Sequence, residues 1–298
     1  MGRYGRVCVT TEGTGMKTDT ARSMEAFETL HGGAKIAELK QQVAIEQAKV
    51  DKLAGVQNVI HVEHSDDCTL RFAVIGDTHL GNLHYHEAAF TAFLRICEAE
   101  GIMDVFHAGD VLDGHKVYRG QEFDLRDVGL DKQVGRLVSS VPELDLDVHF
   151  ITGNHDASFK HAAGVSVGKA ISDAMPRWDF LGEDQARYRW ETPNGPFELM
   201  LLHPDGGSSY ALSYRPQKII ESLEGGSKPD MLAIGHYHKA DFLPTYRNVA
   251  AIQTGTFERQ TDFMARKGLA AHVGGWIVEV EVGDGWKSIT TKFIAFYV

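Results

Sequence analysis

Cysteine is scarce in this chain of 298 residues, which contains three. Cys8, Cys68 and Cys97 lie far apart, and their spacing matches no zinc-binding or redox motif. We interpret them as the reduced thiols of an intracellular protein.

Long apolar runs are also missing, so the sequence predicts no membrane-spanning helix and no membrane partner. The first residues lack the apolar core of a signal peptide, and Arg6 stands where a myristoylation motif requires Ser or Thr. We therefore expect a soluble, cytoplasmic protein.

Positive charge is in deficit, because 30 Lys and Arg residues face 41 Asp and Glu residues, for a formal net charge of -11. An acidic surface argues against tight, nonspecific wrapping of nucleic acid, although it is compatible with a local basic patch. With 43% hydrophobic residues, the chain is long enough for one large α/β domain or two small ones.

The first 58 residues differ in pattern from the rest. Residues 1–22 are polar without a clear period, whereas residues 23–53 have a helical pattern that breaks at Gly32-Gly33. An apolar stripe on this predicted helix either packs on the main domain, which the small number of heptads favours, or pairs with a second copy in a homo-oligomer. We predict an N-terminal arm and helical extension at 1–58 and a catalytic domain at 59–298. The stripe consists of Ile36, Leu39, Val43, Val50 and Leu53.

Apolar runs alternate with helical patterns beyond residue 59. This alternation, followed by a strand-rich end, predicts an α/β fold of two packed mixed sheets with helices outside. Strands are predicted at 72–75, 104–107, 148–151, 199–202, 231–234, 250–253, 276–282 and 289–296. Helices are predicted at 87–99, 160–174 and 216–223.

Polar side chains with ligand chemistry follow five of the predicted strands. A turn cap or an ordinary surface residue is the commoner explanation for any one of them alone. Their recurrence favours a shared role, because charged and imidazole groups at the ends of buried strands are costly unless they are paired or coordinated. The residues are Asp77, His79, Asp110, Asn154, His203, His236 and His238.

The composition of this set indicates which metals it would bind. Asp, Asn and His ligands suit manganese, iron or zinc, and the absence of cysteine argues against a closed structural zinc site. One bridging carboxylate can hold two ions about 3.5–4 Å apart, the spacing used for in-line phosphoryl displacement.

The order of these residues resembles the complete motif set of the calcineurin-like metallophosphoesterases, over residues 70–240. The motifs are Asp77-Thr78-His79, Gly109-Asp110, Gly153-Asn154-His155-Asp156, His203 and Gly235-His236-Tyr237-His238. The resemblance implies a four-layer sandwich of two mixed β-sheets flanked by helices. It also implies two divalent metal ions, with manganese expected and iron or zinc as alternatives.

The resemblance also assigns roles. One metal would take Asp77, His79, Asp110 and His238, and the other Asp110, Asn154, His203 and His236. Asp110 would bridge the two ions, and a bridging hydroxide would attack phosphorus. His155 would contact the scissile phosphate or protonate the leaving group, with Asp156 orienting it.

Three further segments, at 111–114, 117–122 and 260–268, are similar to the exonuclease-bearing small subunit of archaeal family D DNA polymerase. The chain also resembles the double-strand-break repair nucleases of the same superfamily. These resemblances imply a DNA phosphodiesterase, with 3′-to-5′ exonuclease activity expected. The acidic charge favours an alternative, a small-molecule or cyclic-nucleotide phosphodiesterase. A non-catalytic scaffold is disfavoured because all seven ligand positions are filled.

Several side chains near the motifs are candidates for DNA contact, although each alone is more often an ordinary surface residue. Lys239 and Arg259 lie nearest the last motif, and Tyr118 and Tyr237 are candidates for stacking on bases. His84 and His115 lie near the first two motifs. The cationic candidates are Lys116, Arg119, Lys160, Arg215, Lys218, Lys239, Arg259, Arg266 and Lys267.

Overall fold

The computed structural model describes residues 60–297, apart from residues 225 and 284. The N-terminal arm and the helix expected at 23–53 lie outside the described residues, and so do both alternatives for that helix, packing on the main domain and pairing in a homo-oligomer. The boundary between residues 58 and 59 therefore stays a prediction.

The described part of the chain contains two six-stranded sheets, and all eight predicted strands are present. In chain order the strands are β1 (Ile60–His64), β2 (Thr69–Ile75), β3 (Asp104–Ala108), β4 (Asp147–Thr152), β5 (Trp178–Glu183), β6 (Gln185–Thr192), β7 (Gly195–Leu202), β8 (Met231–Ile234), β9 (Ala240–Tyr246), β10 (Val249–Thr254), β11 (Gly274–Gly283) and β12 (Gly285–Ala295). The first sheet has the order β1-β6-β7-β8-β10-β9, and the second has the order β12-β11-β2-β3-β4-β5.

Both sheets are mixed, as the sequence predicts. In the second sheet β2, β3, β4 and β5 are parallel, and β11 lies antiparallel to both β2 and β12. In the first sheet β7, β8 and β10 are parallel, while β6 and β9 pair antiparallel to β7 and β10. Five of these parallel strands therefore end in the ligand-bearing loops.

The helices of the described region differ from the prediction in several places. The helix expected at 160–174 is wrong, because Gly164 takes a left-handed conformation that ends one helix and Ser166 caps the next. The helices are α1 (Glu87–Ala99), α2 (Leu130–Ser140), α3 (Asn154–Ala163), α4 (Val167–Ala174), α5 (Tyr214–Ser222) and α6 (Asp262–Arg266). Helices α2 and α6 were not predicted, whereas α1 has its predicted bounds.

Alternate residues of the central strands face opposite sides of each sheet. Ala73 and Ile75 of β2 belong to an apolar cluster that includes residues of α1, whereas Phe72 and Val74 pack between the two sheets. A third cluster joins the first sheet to α5 through Ile220. Three apolar layers therefore separate helix, sheet, sheet and helix, which confirms the four-layer sandwich.

Two of the three cysteines lie in the described region and are free thiols. Cys97 is buried, and this burial raises the pKa of its thiol to about 12. Such a thiol stays protonated and unreactive. Among the described residues, none of the helices combines the length and the apolar character that crossing a bilayer requires.

Candidate metal centre

Six of the seven predicted ligands lie in loops that follow β2, β3, β7 and β8, and Asn154 is the first residue of α3, just after β4. The carboxyl ends of parallel strands meet at one edge of a sheet, which brings residues distant in sequence together. The structure forms two adjacent donor groups from these ligands, Asp77 with His79 and His238, and Asp110 with His203 and His236, and a third group in which His79 meets Asp113 and His155. Asn154 joins the second group, because its Oδ1 lies 3.1 Å from His203 Nε2.

The backbone of this cluster is unusual. Five of the seven residues have positive φ angles between 48° and 77°, although none of the five is glycine. Such conformations cost on the order of 1–3 kcal/mol each and concentrate at functional sites. Here they aim the side chains inward from tight loops. The five are Asp77, His79, Asp110, His236 and His238.

In the first group two imidazole nitrogens face each other. His79 Nδ1 lies 3.1 Å from Asp113 Oδ1 and donates to it, so the Nε2 atom of the neutral ring carries a lone pair. That atom lies 3.0 Å from His238 Nε2, which is itself 3.4 Å from Asp77 Oδ1. These three atoms have at most one hydrogen between them, on His238 Nε2, whereas a cation would be bound by all three.

The second group has the same property. His203 Nδ1 donates to the Ala108 carbonyl at 2.8 Å, so in the neutral ring Nε2 carries no hydrogen. This Nε2 faces the oxygens of Asp110 and Asn154, each at 3.1 Å. His236 uses Nε2 to donate to the Gly206 carbonyl at 2.7 Å, which leaves Nδ1 for the site. A neutral site would place three acceptors against one another, whereas a cation would satisfy them.

Asp110 contacts both groups. Its Oδ2 lies 3.1 Å from His203 Nε2 and 3.8 Å from His79 Nε2, while Oδ1 accepts the backbone N–H of His155 at 2.8 Å. The donor set therefore fits two divalent ions that share one carboxylate. Oxygen and imidazole donors serve manganese, iron and zinc alike.

The pKa values of His203 and Asp110 also indicate that positive charge is stabilised at this site. Burial alone would lower the pKa of His203, but the carboxylates of Asp110 and Asp77 are among the groups that raise it to about 9. Burial alone would raise the pKa of Asp110, but the nearby imidazoles, His203 first, hold it well below its usual value. The carboxylates thus attract a proton to the same place where a cation would lie.

His155 lies beside the first group, with its ring centroid 4.4 Å from that of His79. Its Nδ1 donates to the Asp113 carbonyl at 2.7 Å and lies 3.4 Å from the Asp113 carboxylate. Asp113 therefore orients two histidines, His79 and His155. A buried carboxylate that holds a ring tautomer is a common support for ligand and catalytic histidines.

Asp156 does not have the role that the sequence predicted. Its carboxylate accepts backbone N–H groups of Val111, Leu112 and Gly153 at 3.1, 2.9 and 3.0 Å, so Asp113 takes the place beside His155 that was expected for Asp156. Burial and then the carboxylate of Asp110 raise the pKa of Asp156 to about 7. Asp156 ties the loops of two strands together, which makes it a structural residue of the site.

Sequence reasoning missed two buried acids. Asp113 lies three positions after Asp110, in a segment the sequence set apart without assigning it a role. Glu258 lies 3.6 Å from His238 Nδ1 and is 5% exposed. No motif precedes Glu258, so the only signal for it was a Glu close to the strand-rich end.

Gly153 leaves no room for a side chain, and this gives a test of the site. A Cβ atom there would lie 2.4 Å from Asp110 Oδ1 and 2.7 Å from His203 Cε1. We expect Gly153→Ala to displace both ligands and to weaken manganese binding by about 10- to 100-fold, as measured by titration calorimetry. Gly135→Ala is the matched control, because its Cβ meets nothing within 4 Å in α2 and should stabilise that helix by about 1 kcal/mol. Unchanged manganese affinity in Gly153→Ala would contradict the assignment.

The candidate DNA contacts divide into two sets. Lys160 and Lys218 pair with Glu183 and Glu221, and Arg215 donates to the hydroxyl of Tyr237. Within the part of the chain that the structure describes, the other six cations form no ion pair with a side chain. They are Lys116, Arg119, Lys239, Arg259, Arg266 and Lys267.

The aromatic candidates also differ. Tyr237 is 6% exposed and packs against Arg215, so it is not available to stack on a base. Tyr118 is half-buried and lies 6.3 Å from the ring of His155. His84 and His115 are half-buried, and the backbone N–H of His115 donates to Ser158, whose hydroxyl donates to the His155 carbonyl.

Comparison with known proteins gives a family match over residues 70–240, to the family model described as calcineurin-like phosphoesterase. The DNA polymerase II small subunit of Methanocaldococcus jannaschii is 26% identical over 250 residues, which are 68% of this chain and 41% of that protein. The corresponding subunit of Archaeoglobus fulgidus is 24% identical over 240 residues, 65% of this chain and 48% of that protein. The chain thus spans less than half the length of these curated relatives.

Solved structures give more distant similarities. The chain matches GAP50, described as the anchor in the inner membrane complex of Plasmodium, with 13% identity and a TM-score of 0.44 over 77% of this chain and 85% of that one. Zinc-complexed Vps29 of Entamoeba histolytica matches with 15% identity and a TM-score of 0.35, over 76% of this chain and all of that one. The family match, together with the seven ligand positions and their geometry, is the basis of the functional conclusion.

Proposed function

The chain belongs to the calcineurin-like phosphoesterase family, and on this premise we propose that it hydrolyses phosphodiesters of DNA with two divalent metal ions, as a 3′-to-5′ exonuclease. The observation that carries the proposal is the pair of donor groups that share Asp110, with His155 beside them. Two metal ions at such a centre can stabilise both the oxygen that attacks a phosphodiester and the oxygen that leaves it, and His155 lies beside them as a candidate acid.

The ligand roles follow the geometry. Asp77, His79 and His238 would hold one ion, Asn154, His203 and His236 the other, and Asp110 both. When bound, the two ions would acidify the attacking water and neutralise charge on the phosphoryl oxygens. Manganese is the ion we propose.

His155 would act on the leaving group. Because its Nδ1 is engaged by Asp113, the Nε2 atom is free to hold the proton that the departing 3′ oxygen of a deoxyribose needs. Asp113 keeps the ring in one tautomer and one orientation, so that it acts as a positioning residue.

DNA is the substrate that two observations favour. The relatives at 24–26% identity are DNA polymerase II small subunits, and the match reaches about two thirds of this chain. Five cations without an ion-pair partner among the described residues lie close to the site in the sequence. Lys116 and Arg119 follow Asp113, Arg259 follows Glu258, and Arg266 and Lys267 lie at the end of the adjoining helix α6. A polyanion can use these charges even though the whole chain is acidic.

A small-molecule or cyclic-nucleotide diester is the second candidate. A cavity of about 250 Å³ opens beside Asn154 and is lined by Phe180, Lys160 and Asp184 among others. Its one lysine is already paired with Glu183, and its acidic lining disfavours a long polyanion. A compact ligand with a neutral ring fits this cavity better than a DNA strand does.

A product ladder separates the two candidates. Single-stranded DNA labelled at its 5′ end would be incubated with the protein and manganese, beside an Asp110→Asn control. A stepwise ladder that is absent from the control supports the exonuclease, and we expect its rate to fall steeply with salt because phosphate contacts release counterions. Intact DNA, together with hydrolysis of bis(4-nitrophenyl) phosphate by the same preparation, would instead support the small-molecule enzyme.

A further inference from the structure

Two aromatic rings form a stacked pair at the rim of the metal centre. Tyr118 and Phe263 lie with ring centroids 5.8 Å apart and an angle of 26° between their planes. They come from two segments that are far apart in the sequence: Tyr118 lies in the loop after β3, and Phe263 lies in helix α6. Phe263 is 43% exposed, although phenylalanine is among the residue types most often buried.

The local structure holds both rings in place. Thr261 caps α6 by accepting the N–H of Met264 at 3.2 Å, and Met264 is 7% exposed, so it anchors the helix to the domain. Phe263 is therefore the large apolar side chain of α6 that is exposed. On the other side, the hydroxyl of Tyr118 donates to Asp124 Oδ2 at 2.9 Å. Rings held in this way lose little further freedom when a ligand binds.

The pair continues a row of rings that begins in the site. The ring of His79 lies 4.4 Å from that of His155, and the ring of His155 lies 6.3 Å from that of Tyr118. Phe263 is next in this row and is its exposed end. A ligand whose phosphate lies at the donor groups would have its neighbouring part beside these rings.

Charge decides what kind of ligand suits the pair. Arg266 and Lys267 follow Phe263, and Lys116 and Arg119 flank Tyr118; all four are exposed and none has an ion-pair partner among the described residues. The exposed acids Asp262 and Glu122 offset part of this charge. Aromatic faces between cations are the combination that binds single-stranded nucleic acid, in which bases are free to stack and phosphates need neutralising.

We propose that Tyr118 and Phe263 form a stacking platform for an unpaired base of single-stranded DNA, adjacent to the nucleotide that is hydrolysed. This inference rests on the proposed function and adds to it the kind of DNA that is bound. In a duplex the faces of the bases are covered by their neighbours, so only an unstacked base can reach the exposed face of Phe263. A protein partner would be expected to meet a wider apolar surface with fewer charges.

The test uses Phe263→Ala, with Phe263→Trp to restore the ring, Phe263→Leu to restore apolar volume without a ring, and Tyr297→Ala as an exposed-ring control outside the row. Two quantities would be measured with manganese. The first is the affinity for a single-stranded oligonucleotide containing 2-aminopurine, followed by the fluorescence of that base. The second is the rate of hydrolysis of this oligonucleotide divided by the rate for bis(4-nitrophenyl) phosphate. We expect Phe263→Ala to lose the fluorescence quenching and to lower the affinity and the ratio by about 10-fold or more. Phe263→Trp should recover both, and Tyr297→Ala should resemble the parent chain.

Each other result has one meaning. If the parent chain degrades single-stranded DNA and Phe263→Ala matches it in quenching, affinity and rate ratio, the platform is overturned and the exposed ring serves a protein contact instead. If Phe263→Leu restores quenching and affinity as fully as Phe263→Trp, apolar volume suffices and stacking is overturned. If the parent chain hydrolyses only the simple diester and does not bind the oligonucleotide, the proposed function fails and the platform fails with it.

Discussion

Asp110→Asn is expected to reduce phosphodiester hydrolysis by about 10³-fold or more. Asp110 is the residue that contacts both donor groups, and it is 1% exposed. Asparagine has the same shape but carries no charge and offers one oxygen rather than two. It therefore leaves the positive charge of two adjacent ions uncompensated in a buried place, so at least one ion should be lost.

The measurement is kcat/KM for bis(4-nitrophenyl) phosphate and for single-stranded DNA, together with the manganese content of the dialysed protein. Asp173→Asn makes the same chemical change at a carboxylate that is 66% exposed on α4 and pairs with Lys169, so it should leave both measurements unchanged. An Asp110→Asn variant with near-normal activity and two bound ions would remove the basis for a shared carboxylate.

His155→Gln is expected to reduce kcat for DNA by about 10²- to 10⁴-fold while the protein keeps its manganese. His155 is in neither of the two groups that the seven predicted ligands form, although it shares a third potential donor group with Asp113 and His79. Glutamine retains hydrogen-bonding capacity but cannot transfer a proton. The departing 3′ oxygen of deoxyribose needs that proton, whereas 4-nitrophenolate leaves readily without one.

The diagnostic result is the difference between two leaving groups. We expect a much smaller loss for bis(4-nitrophenyl) phosphate than for DNA, and no loss for either substrate in His64→Gln, which changes an exposed histidine. Equal losses for both substrates, accompanied by loss of manganese, would mean that His155 supports the metal centre and is not the proton donor.

The clustering of the seven candidate ligands could be predicted from the sequence because each follows a strand that the sequence itself predicts. The run Phe72 to Ile75 is apolar throughout, and it lies within β2, which ends directly before the loop of Asp77. Parallel strands present their carboxyl ends at one edge, so local patterns alone place Asp77 near Asp110. This part of the fold needs no knowledge of long-range packing.

Other parts of the site depend on contacts that no local pattern records. Asp156 follows His155 in the chain, yet its carboxylate turns to amides about 45 positions away, while Asp113 reaches His155 from an earlier loop. Glu258 reaches His238 from a segment beyond β10. The burial of Tyr237 is likewise a result of packing against Arg215.

Charge is the clearest case in which composition alone was a poor guide. The net charge of -11 describes the whole sequence, whereas the surface presented to a substrate depends on which cations are already paired. Lys160 and Lys218 look like DNA contacts in the sequence, but acidic neighbours neutralise them. Arg266 and Lys267 are without such partners in the described residues, and pairing of this kind is visible only once the chain is folded.

The central claim is that one shared carboxylate joins two metal sites, and counting bound ions tests it most directly. The protein would be stripped with chelator, dialysed against manganese and assayed for metal per chain, beside His203→Ala and His238→Ala, which each remove a donor from one group. We predict two ions per chain for the parent protein and one for each variant. A parent protein that binds no manganese, or variants that still bind two ions, would contradict the account.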